Sequence, residues 1–440
     1  MFAGRQDSYD LFRATFKTTL DPAVLGLREA SSMQYTETAT APNDSRDYRP
    51  QVPTEIIPCG LDFPPFQLPP DAEALRTDVR AFLKETLPTI RGGDRHKTWL
   101  SFSPEFSRKL GERGWIGITW PKKYGGGEKS FLHRYVLTEE LLGNGAPAGS
   151  HWAADRQSGP SILRFGTEKL KQLILPRIAR GECYFTVGMS ESDAGSDLAS
   201  VRTRAMKVDG GWLVNGNKIW TSGAHCSHYA ITLLRTAGTR EDRHRGLSQM
   251  VIDLSSPGVT IRPIVNLNGK HEWNEIVFRD CFVPDFMLLG NDGDGWMQVT
   301  SELAHERSGP ERFLTNVYLL KELVELIGRR PGRHAQQTVG KLAARLWSLR
   351  QMSLSVAGIL GAGGSPNTES AMTKDLGTHF EQELPEVARA LAESDAADAD
   401  KIADFLDMCQ AATLDAPVYT IQGGTTQILR GIIARGLGLR

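Results

Sequence analysis

Residues 202–223 read RTRAMKVDGGWLVNGNKIWTSG, and this stretch decides the fold class. Apolar and polar residues alternate on both sides of Asp209-Gly210-Gly211, which predicts two β-strands joined by a tight turn. HYAITLLRT (228–236), SQMVIDL (248–254) and NEIVFRDCFV (274–283) add further β-rich segments. Residues 184–294 are therefore predicted to form a β domain, either a small barrel or a sandwich.

Helical periodicity lies on both sides of this β region. DAEALRTDVRAFLKETLP (71–88) places Leu75, Val79, Phe82 and Leu83 on one helical stripe. Further helical patterns run over 104–113, 131–143 and 167–180, and Thr167 is predicted to cap the last of them. After Gly295 the pattern is helical again, without the strand–helix alternation of a nucleotide-binding α/β domain. The predicted fold is mainly α with a β subdomain: an N-terminal helical domain (71–183), the middle β domain and a C-terminal helical bundle (295–440). Residues 1–70 form a polar, proline-rich leader of unknown role.

Composition argues against several classes of function. The 51 basic and 52 acidic side chains cancel, so net charge gives no reason to expect nucleic acid or an anionic membrane as the main partner. The five cysteines are scattered without a CxxC pair, which is typical of reduced thiols and not of a disulfide frame or a zinc site. No apolar run is long enough to span a bilayer, and the N-terminus resembles neither a secretory signal nor a transit peptide. The expected location is the cytoplasm.

Five short motifs follow one another along the chain. They are GWIGITWPKKYGGG (114–127), GMSESDAGSDLAS (188–200), NGNKIWTSGA (215–224), LAHERSG (303–309) and GGTTQILRGIIARGLGL (423–439). Each motif alone is weak evidence for a family, but together they resemble the motifs of acyl-CoA dehydrogenases in sequence and in order. The resemblance implies that family's fold, bound FAD, oxidation of an acyl-CoA to a trans-2-enoyl-CoA, and an electron-transfer flavoprotein as electron acceptor. It also implies a homo- or hetero-oligomer, a dimer or a tetramer.

The second motif has small residues and hydroxyls that let backbone donors approach a planar ring or a phosphate chain. Such a string in isolation is also typical of an ordinary polar turn. By the resemblance, Met189, Ser190, Gly195 and Ser196 face the FAD, and Ser196 also contacts the acyl-CoA. The proline usual after the glutamate is Ser192 here, which loosens the turn without removing a donor.

The third motif ends on Trp220, Thr221 and Ser222. An indole at the end of a strand most often packs in a core. By the resemblance, these three residues bind the flavin: Trp220 covers it, and the hydroxyl of Ser222 hydrogen-bonds near flavin N5, the atom that receives hydride. Thr425 and Gln427 match the C-terminal segment of the family that meets the flavin.

Removing an α-proton beside a thioester needs a carboxylate aimed at that carbon in a dry pocket. Many relatives place this glutamate directly before the glycine-threonine near the C-terminus, where this chain has Gly423. Isovaleryl-type and long-chain-type members carry it on a helix before an arginine instead, and Glu306-Arg307 match that pattern. Glu306 is thus the expected base, Arg307 a substrate contact, and the Gly423 N–H a donor to the thioester oxygen. The alternative is that Glu306 is a solvated helix charge.

One segment of the family is missing. Many relatives bind the adenosine half of FAD through a glutamine-x-x-glycine-glycine segment across a subunit boundary, and MCQAATLDAPVYT (408–420) has nothing like it. Two alternatives therefore stay open beside the dehydrogenase. One is a catalytically silent partner subunit of a heteromeric dehydrogenase, and the other is a flavin monooxygenase or oxidase of the same superfamily.

Overall fold

The structure is a computed structural model and describes residues 61–90, 94–307, 309–328, 331–395 and 399–439. For residues 301–306, 395 and 399–401 it describes the backbone alone. Most of the predicted leader therefore lies outside the described residues. None of the helices in these ranges has the length and apolar composition needed to cross a bilayer.

The described chain begins with helices. They are α1 (Pro70–Thr86), α2 (Pro104–Glu112), α3 (Phe131–Gly143), α4 (Gly149–Ala153), α5 (Gly159–Phe165) and α6 (Glu168–Ala179), with a π-helical turn at Ala154–Ser158. Helix α1 has Pro70 at its first position, where a missing N–H leaves no hydrogen bond unmade, and it buries Val79 and Phe82. Leu75, which was predicted on the same stripe, lies half-buried against the same core.

The middle of the chain forms one eight-stranded sheet. Its strands are β1 (Phe185–Gly188), β2 (Arg204–Val208), β3 (Gly211–Ser222), β4 (Tyr229–Arg235), β5 (Leu247–Asp253), β6 (Val259–Val265), β7 (His271–Pro284) and β8 (Leu288–Leu289). The strand order is β6-β7-β3-β2-β4-β5-β8, and β1 pairs with β4 in parallel. The predicted hairpin is present, with Val208 opposite Gly211. Strands β1, β6 and β8 were not predicted. Strands β1 and β8 are short, and β6 contains Pro263, a residue type depleted in strands.

The N-terminal helices and the sheet share one apolar core. Its buried members include Val79, Phe106, Ile116, Trp120 and Ile174 from the helical part and Ile231, Ile252, Ile276 and Phe278 from the sheet. Burial of this shared apolar surface holds the two parts of the chain together.

The C-terminal part is helical. Its helices are α7 (Gly295–Glu306), α8 (Tyr318–Ile327), α9 (Arg333–Gly361), α10 (Asn367–Asp395), α11 (Ala399–Asp415) and α12 (Thr426–Gly436). Helix α10 was not predicted because Gly377 and Pro385 interrupt its pattern. A Cβ at Gly377 would lie 2.1 Å from the carbonyl oxygen of Arg312, so this glycine permits close packing of α10. The predicted mainly-α class, with a β subdomain between two helical regions, is confirmed.

Candidate active site

The first group of predicted site residues lies where strand β1 ends beside strand β3. We call Met189, Ser190, Trp220, Thr221 and Ser222 the strand-end group. The carbonyl of Ser190 accepts the N–H of Ile219 at 2.9 Å, which joins the segment after β1 to the end of β3. Met189 and Ser190 are half-buried, and Ser222 is exposed. The structure therefore brings the second and third motifs together.

A buried ion pair fixes this junction. Lys218 is fully buried, and its Nζ lies 2.7 Å from a carboxylate oxygen of Glu191 and 3.0 Å from the Met189 carbonyl. Glu191 also accepts the backbone N–H groups of Arg202 (2.6 Å) and Thr203 (2.9 Å). Burial lowers the pKa of Lys218 to about 8, although Glu191 opposes the shift. Both residues stand in the motifs, but no sequence pattern marks them as partners.

Trp220 adopts an unusual conformation. Its φ is +61°, a region that bulky residues rarely adopt, and the register of β3 with β7 shifts between Lys218 and Thr221. The bulge leaves Trp220 60% exposed, so the indole does not pack in a core. Its neighbour Thr221 is 1% exposed, and the Thr221 Oγ1 has no hydrogen-bond partner in the described part of the chain. An exposed aromatic surface beside an unsatisfied hydroxyl suits a planar ligand with hydrogen-bonding groups.

Gly195 and Ser196 lie on an exposed loop. A Cβ at Gly195 would meet no atom within 4 Å, so a ligand can approach this backbone closely. The next residue along, Asp197, accepts two hydrogen bonds from Arg243 at 2.6 and 2.9 Å. Buried Arg235 donates to the Arg243 carbonyl at 3.0 Å. The loop is therefore open on one side and anchored on the other.

A second group forms around a turn near the C-terminus. We call Arg307, Gly423 and Gly424 the turn group. The Arg307 Nε donates to the Gly423 carbonyl oxygen at 3.0 Å. Glu306 is the last residue of α7, and its side chain lies outside the described part of the chain. The turn needs glycine because φ is +70° at Gly423 and +110° at Gly424. The structure thus places the helix end that carries the expected base beside the expected thioester donor.

Thr425 and Gln427 lie at the start of α12. The Thr425 Oγ1 accepts the N–H of Ile428 at 3.3 Å and caps the helix. Gln427 is exposed. Thr425 therefore has a structural role of its own beside any contact with a cofactor.

Two further cations lie beside the turn group, and neither was predicted as a site residue. A Cβ at Gly423 would lie 3.2 Å from the Arg312 Cζ. The Lys374 Nζ on α10 donates to the carbonyls of Tyr419 (2.8 Å) and Gly424 (3.3 Å). Together with Arg307, these side chains make the surroundings of the turn strongly cationic.

Helix α7 connects the two groups. Its Val299 belongs to a small buried cluster with Ala194 and Leu233, and Met189 packs against that cluster. The last residue of the same helix, Glu306, precedes Arg307. Helix α7 therefore shares a buried cluster with the strand-end group and reaches the turn group at its end.

The chain belongs to the acyl-CoA dehydrogenase family, whose fold it has. Family models of the acyl-CoA dehydrogenase N-terminal, middle and C-terminal domains match residues 69–182, 186–281 and 293–438. Members of the family are oxidoreductases that dehydrogenate acyl-CoA thioesters.

Individual relatives are similar over most of their length. The chain is 33% identical over 382 residues to acyl-CoA dehydrogenase IpdE1 of Mycobacterium tuberculosis, which covers 84% of this chain and 98% of that protein. It is 30% identical over 298 residues to the mitochondrial isovaleryl-CoA dehydrogenase of Pongo abelii, covering 64% of this chain and 70% of that protein. The solved ChsE4–ChsE5 complex of M. tuberculosis contains a chain with a TM-score of 0.69 and 25% identity, covering 85% of this chain and 99% of that one.

Proposed function

We propose that this chain binds FAD and oxidises an acyl-CoA between its α and β carbons, with Glu306 as the catalytic base. The observation that carries the proposal is the hydrogen bond from Arg307 to the Gly423 carbonyl. It ties the end of the helix that carries Glu306 to the turn that offers a backbone donor for the thioester oxygen. The match of Glu306-Arg307 to the isovaleryl-type pattern supports the same assignment of the base, and the chain is similar to an isovaleryl-CoA dehydrogenase.

The strand-end group fits the isoalloxazine ring of FAD. Trp220 offers an exposed aromatic face, Ser222 an exposed hydroxyl, and Thr221 a buried hydroxyl without a partner in the described residues. Met189 and Ser190 offer backbone groups beside them, and Gly195 and Ser196 leave an open backbone. When bound there, FAD supplies the two-electron acceptor for the β-hydrogen.

The residues of the chain act on the α-carbon and on the thioester. Glu306 takes the α-proton as the general base, the role that its match to the isovaleryl-type pattern implies. The Gly423 N–H donates to the thioester oxygen, on which negative charge develops as the proton leaves. Arg307 holds the turn and contacts the substrate, and Ser196 contacts the acyl-CoA outside the reacting centre. Proton removal and loss of the β-hydrogen occur together or nearly so, and the product is a trans-2-enoyl-CoA.

We also propose an electron acceptor, an oligomeric state and a cellular location for the enzyme. Electrons leave to an electron-transfer flavoprotein, the chain assembles as a dimer or a tetramer, and the enzyme works in the cytoplasm. The resemblance of the chain to the family supports the acceptor and the oligomer, and its scattered cysteines support the location.

A second candidate is a partner subunit in a heteromeric dehydrogenase. Residues 408–420, which lack the adenosine-binding segment, form the end of α11 and a short 3-10 helix (Ala416–Thr420). A structural neighbour is itself a complex of two named chains. In this candidate another chain completes the adenosine site, and this chain still carries the strand-end group.

The test is an absorbance spectrum of the purified protein, followed by anaerobic titration with acyl-CoAs of differing length and branching. We expect a yellow protein that releases FAD on denaturation and is bleached by at least one acyl-CoA. Bleaching only after addition of a partner chain would establish the second candidate. A colourless protein that cannot be reconstituted with FAD, alone or with a partner, would refute both.

A further inference from the structure

Lys374 is buried in a place where a lysine is costly. It is 1% exposed, and burying an ammonium group is unfavourable unless its hydrogen bonds are satisfied. Its Nζ donates to two main-chain carbonyls of the same short segment, those of Tyr419 and Gly424. The side chain therefore joins helix α10 to both ends of the turn that contains Gly423.

Two cations hold neighbouring carbonyls of this turn. Arg307 binds the carbonyl of Gly423 at 3.0 Å, and Lys374 binds that of Gly424 at 3.3 Å. The peptide planes on either side of Gly424 are thereby fixed. The Gly424 N–H donates to the Ile421 carbonyl at 3.3 Å, which closes the turn internally. With these planes fixed, the orientation of the preceding Gly423 N–H is restricted as well.

The same face of α10 carries two more polar contacts. Thr378, one helical turn after Lys374, donates to the Tyr419 carbonyl at 3.3 Å. Glu381, two turns after it, accepts the Thr315 N–H at 2.7 Å. Burial raises the pKa of Glu381 to about 7, against the opposing effects of Thr315, Arg312 and Lys374. Arg307, Arg312 and Lys374 therefore lie around the turn together with Glu381, whose acidity is reduced by burial.

We propose that Lys374 is a positioning residue of the dehydrogenation: its buried ammonium orients the Gly423 turn toward the thioester and stabilises the negative charge that develops on the thioester oxygen. The inference rests on the proposed function and adds a residue on a third helix to it. Residue 423, where many relatives carry a glutamate, supplies no carboxylate to the cations of the turn. The positive potential of these cations therefore acts on the bound thioester without being reduced by a carboxylate at residue 423.

The experiment observes the thioester carbonyl directly. The probe is a 3-thia analogue of the acyl-CoA that best bleaches the wild-type protein, labelled with ¹³C at the carbonyl. Sulfur replaces the β-carbon, so the analogue binds without being dehydrogenated. Isotope-edited infrared spectra give the shift of the carbonyl stretch on binding. The same variants are assayed for kcat and KM with the parent acyl-CoA.

Lys374→Gln keeps a donor and removes the charge. We expect it to lose at least half of the wild-type infrared shift and to lower kcat by about 10- to 100-fold with little change in KM, less than the loss on removing a direct oxyanion donor. Lys374→Arg should restore both. Thr378→Val removes a contact to the same Tyr419 carbonyl without a charge and should behave as wild type. Lys321→Gln, at a half-buried lysine that binds Asn144, is the matched control.

The inference is overturned if Lys374→Gln keeps the wild-type infrared shift and the wild-type kcat. It is also overturned if Thr378→Val loses as much of the infrared shift and of kcat as Lys374→Gln does. If Lys374→Gln does not fold, Lys374→Arg decides: retention of the shift supports the inference, and its loss refutes it. The proposed function fails in a different way, because the wild-type protein itself would then show neither bound FAD nor a carbonyl shift.

Discussion

The Arg307 Nε lies 3.0 Å from the carbonyl oxygen of Gly423, although 116 positions separate the two residues in the chain. This hydrogen bond joins the end of α7 to the turn before α12. It brings together the two places from which members of the family supply the catalytic carboxylate. In this chain the helix carries the glutamate and the turn carries glycine.

Glu306→Gln should abolish proton removal while keeping the shape of the side chain. We expect turnover to fall by about 10²- to 10⁴-fold, the usual loss for a general base. Acyl-CoA should still bind and perturb the flavin spectrum without bleaching it, as stopped-flow absorbance would record. Glu105→Gln, at an exposed position of α2, is the control. Wild-type turnover in Glu306→Gln would mean that Glu306 is a solvated helix charge and not the base.

Gly423→Glu should not rescue Glu306→Gln. A side chain at this position must adopt φ of +70°, and its Cβ would lie 3.2 Å from the Arg312 guanidinium carbon. The new carboxylate would pair with Arg312, which stabilises its ionised form and makes it a weaker base. Rates of flavin reduction in the single and double variants test this expectation. Recovery of activity in the double variant would show that the turn can present a free carboxylate.

Lys218→Met should loosen the strand-end group. The change leaves the Glu191 carboxylate buried without its cation, which typically costs about 3–5 kcal/mol. We expect a lower thermal midpoint and weaker FAD retention, measured by calorimetry and by flavin fluorescence. Adding Glu191→Gln should recover part of the loss because it removes the orphaned charge. Lys207→Met, which breaks the exposed pair with Asp285, should change little. Strictly additive effects at Lys218 and Glu191 would contradict the coupling.

Ser222→Ala should weaken flavin binding modestly. Its exposed hydroxyl is expected to contribute about one neutral hydrogen bond, about 0.5–1.5 kcal/mol. FAD should dissociate more readily and flavin reduction should slow by a similar factor, while the fold is retained. Ser255→Ala, at an exposed turn, is the control. An unchanged flavin spectrum and rate would mean that another residue of β3 faces the flavin.

Glu381 should make stability depend on pH. Its folded-state pKa is about 7 and its ordinary value is 4.5, so between these values the folded state keeps a proton that the unfolded chain has released. The free energy of unfolding should therefore fall as pH rises through this window, by up to about 3 kcal/mol. Glu381→Gln should remove that part of the pH dependence in thermal unfolding with saturating FAD. Glu383→Gln, at the exposed pair with Arg345, should retain it.

Local sequence was sufficient for several features. The period-2 pattern around Asp209-Gly210 predicted the hairpin of β2 and β3, and Thr167 was correctly predicted to cap α6, where it accepts the Leu170 N–H at 3.2 Å. These features depend on neighbours a few residues apart, which propensity and periodicity report. The order of helices, strands and helices followed from the same patterns. The roles of the motif residues came from resemblance, and all of them, including that of Glu306, remain predictions.

Only the tertiary structure decided which distant residues meet. No periodicity pairs Lys218 with Glu191, or Lys374 with the carbonyl of Gly424, because each contact joins elements that are separated in the chain. Composition rules even argue against them, since lysine is seldom fully buried. The exposure of Trp220 was likewise beyond the sequence, because a bulge in β3 turns the indole out of the core. Helix α10 forms despite Gly377 because packing against the Arg312 carbonyl outweighs the weak helix propensity of glycine.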